Sequence, residues 1–138
     1  MKQHAETLHV ETRRGLTEIT DAVRRVLGRS GVSQGLCTLF IRHTSASLVI
    51  QENADPAVRR DLESFLGRLV PDGDAIFTHT AEGPDDMPSH VKSALTRTSE
   101  QVPVRAAELV LGTWQGLYVW EHRAGRMRLE VYVHLIGE

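Results

Sequence analysis

Leu117-Tyr118-Val119-Trp120-Glu121-His122, then Arg123-Ala124-Gly125-Arg126, then Met127 to Ile136: this stretch decides the fold class. In its last segment Leu129, Val131, Val133 and Leu135 alternate with Glu130, Tyr132 and His134. A period of two belongs to a strand with one apolar and one polar face. The four residues in between are turn-like, so the pattern predicts an antiparallel hairpin of Leu117–His122 against Met127–Ile136. Just upstream, Gly112-Thr113-Trp114-Gln115-Gly116 sets a bulky aromatic between two glycines.

Working outward, residues 3–12 alternate loosely and read as a first strand with Leu8 and Val10 on one face. Leu16, Ile19, Val23, Val26 and Leu27 recur at helical spacing, which predicts a helix over roughly 19–28, ended by Gly28, Ser30 and Gly31. Gly35 to Arg42 is a near-continuous apolar run, the pattern of a strand buried on both faces. After His43-Thr44-Ser45-Ala46-Ser47, Leu48-Val49-Ile50 begins another strand that ends in Gln51-Glu52-Asn53. Asp55-Pro56 is a helix start, an N-cap residue followed by proline at the first helical position. Val58, Leu62, Phe65, Leu66 and Leu69 give that helix its apolar stripe, and Pro71-Asp72-Gly73 stops it. A short strand is expected around Ile76–Thr78, and a further helix from Pro88 that buries Val91, Ala94 and Leu95. Val102-Pro103-Val104 reads as an extended edge segment. Strands and helices without regular βαβ alternation predict an α+β fold, mostly antiparallel sheets in a sandwich-like arrangement with two to three helices.

A chain of 138 residues fits one domain over 1–138. Sixteen Lys and Arg against 18 Asp and Glu leave a formal charge of −2, a poor match for nucleic acid. The N-terminal residues lack the apolar run of a signal peptide. Nothing approaches the ~20 apolar residues of a membrane span. The single Cys37 lies in an apolar run and reads as a small buried hydrophobe; one cysteine fits a reducing cytoplasm.

Chemistry concentrates in Glu82-Gly83-Pro84-Asp85-Asp86-Met87-Pro88-Ser89-His90, three acids and a histidine at a helix start, where the positive end of the helix favours anions. Of seven histidines, His4, His9 and His134 read as surface or interface groups. His43, His90 and His122 sit at the ends of elements, and three imidazoles plus a water form a catalytic zinc ligand set. His79 stands as a fourth ligand or a substrate contact. Glu52, Asp85 and Asp86 are candidates to orient imidazoles or to hold a hard cation. Thr44, Ser45 and Ser47 offer hydroxyls to phosphate oxygens, with turn formation as the plainer role. Trp114 reads as core packing or as a wall for a flat ligand.

His43-Thr44-Ser45-Ala46-Ser47-Leu48, Glu52-Asn53, Asp55-Pro56, Glu82-Gly83, Asp85-Asp86-Met87-Pro88-Ser89-His90, Gly112-Thr113-Trp114-Gln115-Gly116, Glu121-His122-Arg123 and the closing Gly137-Glu138 together resemble the YjbQ-like family. Its members are often called secondary thiamine-phosphate synthases. The resemblance implies a compact α+β fold, a homotrimer with sheets packed about a threefold axis, and a His-rich pocket that often holds a metal. The implied activity is a weak transfer joining a pyrimidine methyl diphosphate to a thiazole phosphate with release of pyrophosphate. Mapped onto this chain, the metal falls to His43, His90 and His122, with zinc as the expected ion and magnesium as the alternative. Asp86, Glu52 and His79 take catalytic roles; Ser45, Ser47, Asn53 and Trp114 face a small-molecule substrate. Within the helix start, Asp85 is expected to cap the helix that begins at Pro88 or to close the turn after Pro84, and Asp86 to face the pocket near His90. Two other readings stand beside this one: a metal-dependent hydrolase of a phosphorylated or acyl metabolite, and a non-enzymatic trimeric module that binds a metal or ligand.

Overall fold

The computed structural model describes all residues 1–138. β1 spans Lys2–Thr12 and β2 Gly15–Glu18; α1 runs Thr20–Ser30; β3 is Gly35–Ile41 and β4 Ala46–Glu52. α2 covers Pro56–Leu69 and α3 Asp86–Leu95; β5 is Ser99–Arg105, β6 Glu108–Leu109, β7 Gln115–Glu121 and β8 Met127–Gly137. One sheet has the order β1-β8-β3-β5-β6 and the other β2-β7-β4, and every pairing is antiparallel. The class is therefore α+β with three helices, as the patterning predicts. No helix is long and apolar enough to cross a membrane.

The expected hairpin does not form. β7 pairs with β2 and β4, whereas β8 pairs with β1 and β3, so Arg123–Arg126 carry the chain from one sheet to the other. Both strands have an apolar side to bury, and facing each other across a core buries more than lying side by side. Nineteen buried apolar residues form that core, from Val23, Val26 and Leu27 of α1 to Leu39, Leu117, Val119, Val131 and Leu135 of the two sheets. Each Val, Leu or Ile among them contributes about 1.5–3 kcal/mol when removed from water. Gly35 and Gly137 lie opposite each other where β3 meets β8, and a Cβ on either would strike the partner backbone.

Further expectations change for physical reasons. β3 is not buried on both faces: Cys37, Leu39 and Ile41 point inward, while Phe40 is 48% exposed. Its outer face continues through Tyr132 and Thr7, which lie in register beside it, so one side of the larger sheet is bare in a single chain. The first helix falls close to its expected bounds, and Leu16, which shares its spacing, lies before it in a short strand pairing with β7. Ile76–Thr78 is turn and coil, with Ile76 74% exposed and no strand beside it.

α2 starts as read, the Asp55 carboxylate accepting from Ala57 N at 2.9 Å. Of its apolar stripe only Leu66 is buried; Phe65 and Leu69 face outward. α3 departs furthest. It begins at Asp86, two residues before Pro88, and it buries Asp86, Pro88, Ser89, Lys92 and Ser93 while Ala94 and Leu95 face solvent. Its inner face is thus mostly polar. Ser93 Oγ donates to Ala46 O at 3.1 Å, fastening that face over the start of β4.

Candidate functional site

Asp86 and His90 are four residues apart on α3, hence on one face. His79, in the turn before the helix, comes back to meet them. His79 Nε2 approaches Asp86 Oδ2 at 2.7 Å and His90 Nε2 approaches the same oxygen at 3.1 Å. One ligand atom from each of the three groups lies within 4.8 Å of the others, the one such set of three or more in the chain. The imidazole rings are 5.6 Å apart between centroids. His90 Nδ1 donates to the Thr44 carbonyl at 2.8 Å, which orients its ring from behind. Beside His79 a hollow of about 350 Å³ opens between residues 73–80 and the start of α3, with Phe77 and Met87 on its wall.

Arg123, from the β7–β8 connection, closes the other side. Its guanidinium lies 3.3 Å from Asp86 Oδ1 and donates to the Glu82 carbonyl at 3.1 Å. Burial pushes the Asp86 carboxyl up, but His79, His90 and Arg123 together outweigh it and hold the group below the usual carboxylate range. Asp85 does not cap α3 with its side chain. Its carboxylate accepts from Ala124 N at 3.0 Å and sits 3.6 Å from Arg123 Nε, tying the crossover loop to the helix start.

His122 and Ser47 form a second, fully buried pair, sharing a hydrogen bond of 2.8 Å between Nε2 and Oγ. Burial, with the nearby charges of Lys92 and Arg14, lowers His122 to about 3, so the ring is neutral at physiological pH. Its Nδ1 has no partner. His43 stands apart: its Nε2 accepts from Glu130 N at 2.8 Å, against β8, and burial is the main cause of its lowered pKa. Neither His43 nor His122 contributes a ligand atom to the His79–Asp86–His90 set. Ser45 adjoins the buried pair through its carbonyl, which accepts from His122 N at 3.3 Å.

Glu52, Asn53 and Trp114 lie elsewhere. The register sets Ala46 opposite Glu121 and Glu52 opposite Gln115, so these residues occupy the far end of β4 and β7. At about 3.3 Å per residue that end is ~20 Å from Ser45 and His122 within one chain. There Glu52 Oε2 accepts from Asp55 N at 3.1 Å, Asn53 leans toward Glu18, and Trp114 is 63% exposed.

Arg123 and Lys92 escape a reading based on histidines and acids. A signal for Lys92 existed in the spacing of Asp86, Ser89, Lys92 and Ser93, a polar stripe at helical period.

The family model described as UPF0047 protein YjbQ-like matches residues 4–138. A UPF0047 protein of Synechocystis sp. is 50% identical over 138 residues, covering 99% of this chain and 94% of the relative. The UPF0047 protein YjbQ of Escherichia coli O157:H7 is 43% identical, covering 91% of each chain. Among solved structures, an uncharacterized conserved protein of the YjbQ/UPF0047 family from Clostridium acetobutylicum superposes with a TM-score of 0.82 at 32% identity, covering 94% of this chain and 99% of that one. A YbjQ-like protein of unknown function from Sulfolobus solfataricus shares the fold, with a TM-score of 0.85 at 22% identity over 99% of both chains. The chain belongs to the YjbQ-like, or UPF0047, family.

Proposed function

We propose that the protein is a metal-dependent enzyme acting on a phosphorylated small molecule, with His79, Asp86 and His90 holding a divalent ion. The observation that carries this is the bonding of His90. The Thr44 carbonyl can only accept, so Nδ1 carries a proton, and Nε2 faces Asp86 Oδ2 at 3.1 Å, a contact that a bare Nε2 lone pair would not tolerate. Two acceptors held that close need a proton or a cation between them. Two imidazoles and a carboxylate suit zinc with a position left open, and imidazole is a poor ligand for magnesium. When bound, such an ion neutralises charge on a phosphate oxygen as a Lewis acid.

The proposed reaction is the one the family resemblance implies. The C–O bond of a pyrimidine methyl diphosphate breaks, pyrophosphate leaves with the electron pair, and a thiazole phosphate nitrogen forms the new C–N bond. Thr44 and Arg123 hold His90 and Asp86 in place, and the hollow beside His79 is where the diphosphate enters. No enzymic nucleophile is required, and none stands at the cluster. Burial pushes the Cys37 thiol up to about 11, which keeps it out of the chemistry.

We further propose that three copies associate. Phe65 at 67% and Leu69 at 58% exposure, with the bare sheet face around Phe40 and Tyr132, support a second copy as the covering surface. The test combines zinc titration with a turnover assay on diphosphate and non-diphosphate substrates. Zinc binding with product formed only from the diphosphate supports the reading. Hydrolysis of simple phosphomonoesters instead makes the protein a hydrolase, and zinc binding without any turnover makes it a binding module.

A further inference from the structure

Two connections cross between the sheets at the same edge of the molecule. Thr12 lies opposite Met127 in the larger sheet, and Gly15 lies opposite Glu121 in the smaller one. Arg13 and Arg14 therefore cross beside residues 122–126, which carry the chain back the other way. Each crossing bends at a glycine of positive φ, Gly15 at 114° and Gly125 at 90°, and a Cβ built on either would meet nothing within 4 Å. The register thus gathers Arg13, Arg14, Arg123 and Arg126 at one edge of a chain whose formal charge is −2.

Two of these four are already paired. Arg14 meets Asp72 at 3.2 Å, and Arg123 meets Asp86 at 3.3 Å and Asp85 at 3.6 Å. Arg13 and Arg126 are exposed, and their guanidinium groups pair with no acid. Both nevertheless line the same two hollows. One, of about 500 Å³, is bounded by Arg13, Arg14, Ala124, Gly125 and Arg126, three arginines without an acid. The other, of about 610 Å³, adds the Thr17 hydroxyl, and its one acid, Glu11, is drawn toward Arg128 at 3.8 Å. A lone surface arginine is satisfied by water. Two that wall one hollow from separate turns, with a third fixed beside them, repel one another, and an anion between them removes that repulsion. A planar carboxylate fills one guanidinium fork. The tetrahedral oxygens of a phosphate can face two forks from different walls, and its second negative charge matches the second arginine.

We propose that Arg13 and Arg126 form a second ligand site, which grips the phosphate group of a small phosphorylated molecule, with the adjoining hollow at Thr17 receiving the rest of it. Neither arginine makes a hydrogen bond or ion pair with His79, Asp86 or His90, and the site stands independently of the metal reading. The experiment uses the full chain with a chelator present, so that no ion at the histidine cluster can hold the anion. Calorimetry follows titration with inorganic phosphate, glycerol 3-phosphate and acetate, with chloride keeping ionic strength constant. Both phosphates are expected to bind, the ester at least as tightly as the free ion, and acetate less tightly than either. Arg13→Gln and Arg126→Gln are each expected to weaken phosphate binding about tenfold, roughly the worth of one charge-assisted contact, with the melting temperature unchanged. Arg105→Gln removes the same charge at the opposite end of the larger sheet and is expected to leave binding as it was. Should an arginine variant not fold, the backbone amide signal of Gly125 in the unaltered protein gives the answer, since it should shift with phosphate. Indifference of wild type to both phosphates, acetate binding as tightly as phosphate, or a stationary Gly125 signal would each overturn the proposal. So would an equal loss in Arg105→Gln and Arg13→Gln, which would reduce the effect to general charge. Binding of a short DNA duplex about a hundredfold more tightly than either phosphate would make the groove a polyanion surface and would overturn it too.

Discussion

Replacing Asp86 by asparagine separates a metal centre from a mere hydrogen-bonded cluster. The carboxylate is 2% exposed and meets His79 at 2.7 Å, His90 at 3.1 Å and Arg123 at 3.3 Å. Asparagine keeps the shape and drops the charge. Its amide N–H can donate to the His90 lone pair, so that contact survives without an ion. Arg123 loses its partner at Oδ1 but keeps Asp85 and the Glu82 carbonyl. The metal-free variant should therefore lose only about 1–2 kcal/mol, the worth of one or two charge-assisted hydrogen bonds. Zinc, by contrast, loses one of three protein ligands and the only negative one. Removing even an outer partner of a metal ligand costs 10–100-fold, so ~100-fold is the least expected here, about 2.7 kcal/mol. Competition against a fluorescent zinc chelator near neutral pH measures the affinity, and circular dichroism with thermal melting checks the fold. A folded Asp86→Asn variant that binds zinc within a factor of about three of wild type refutes the ligand assignment. The Asp86 carboxyl is also held below its usual range, so its contribution to stability is present above that range and disappears as the pH falls through the lowered value. The variant should lack that part of the acid sensitivity.

His122 is held neutral down to about 3, whereas in the unfolded chain it gains a proton near 6.5, so stability should fall between those values at up to about 1.4 kcal/mol per pH unit. His122→Gln should flatten that part of the profile in denaturant melts; an unchanged slope would mean the ring is not the cause. Asp55→Ala removes the carboxylate that accepts from Ala57 N and should destabilise by about 1 kcal/mol, seen as a melting temperature lower by a few degrees with zinc affinity intact. Leu135→Ala empties a site of 0% exposure in the core and should cost about 2–5 kcal/mol. Phe65→Ser should leave the fold of a single chain in place while weakening self-association in light scattering; a wild type that runs as a monomer at micromolar concentration refutes the trimer.

The α+β class, the antiparallel habit of the sheets and the start of α2 were legible in the residues, because period two, period 3.6 and Asp-Pro capping are local signals set by backbone geometry. The crowding of chemistry into Glu82–His90 was legible too. What a period does not carry is which surface meets which. Residues 117–122 and 127–136 read as the two neighbouring strands of a hairpin, and competition for core area set them in different sheets instead. α3 shows the same limit from the other side. Its stripe of Asp86, Ser89, Lys92 and Ser93 is as regular as its apolar one, and hydrophobic reasoning turned the wrong face inward. Likewise, histidines at the ends of elements could be listed from the chain, but their grouping depends on how α3 sits against the crossover loop and the start of β4. That packing brings His79 and His90 to one carboxylate oxygen, sends His122 to Ser47 and leaves His43 on β8, since imidazoles far apart in sequence meet only where the backbone elements carrying them are pressed together.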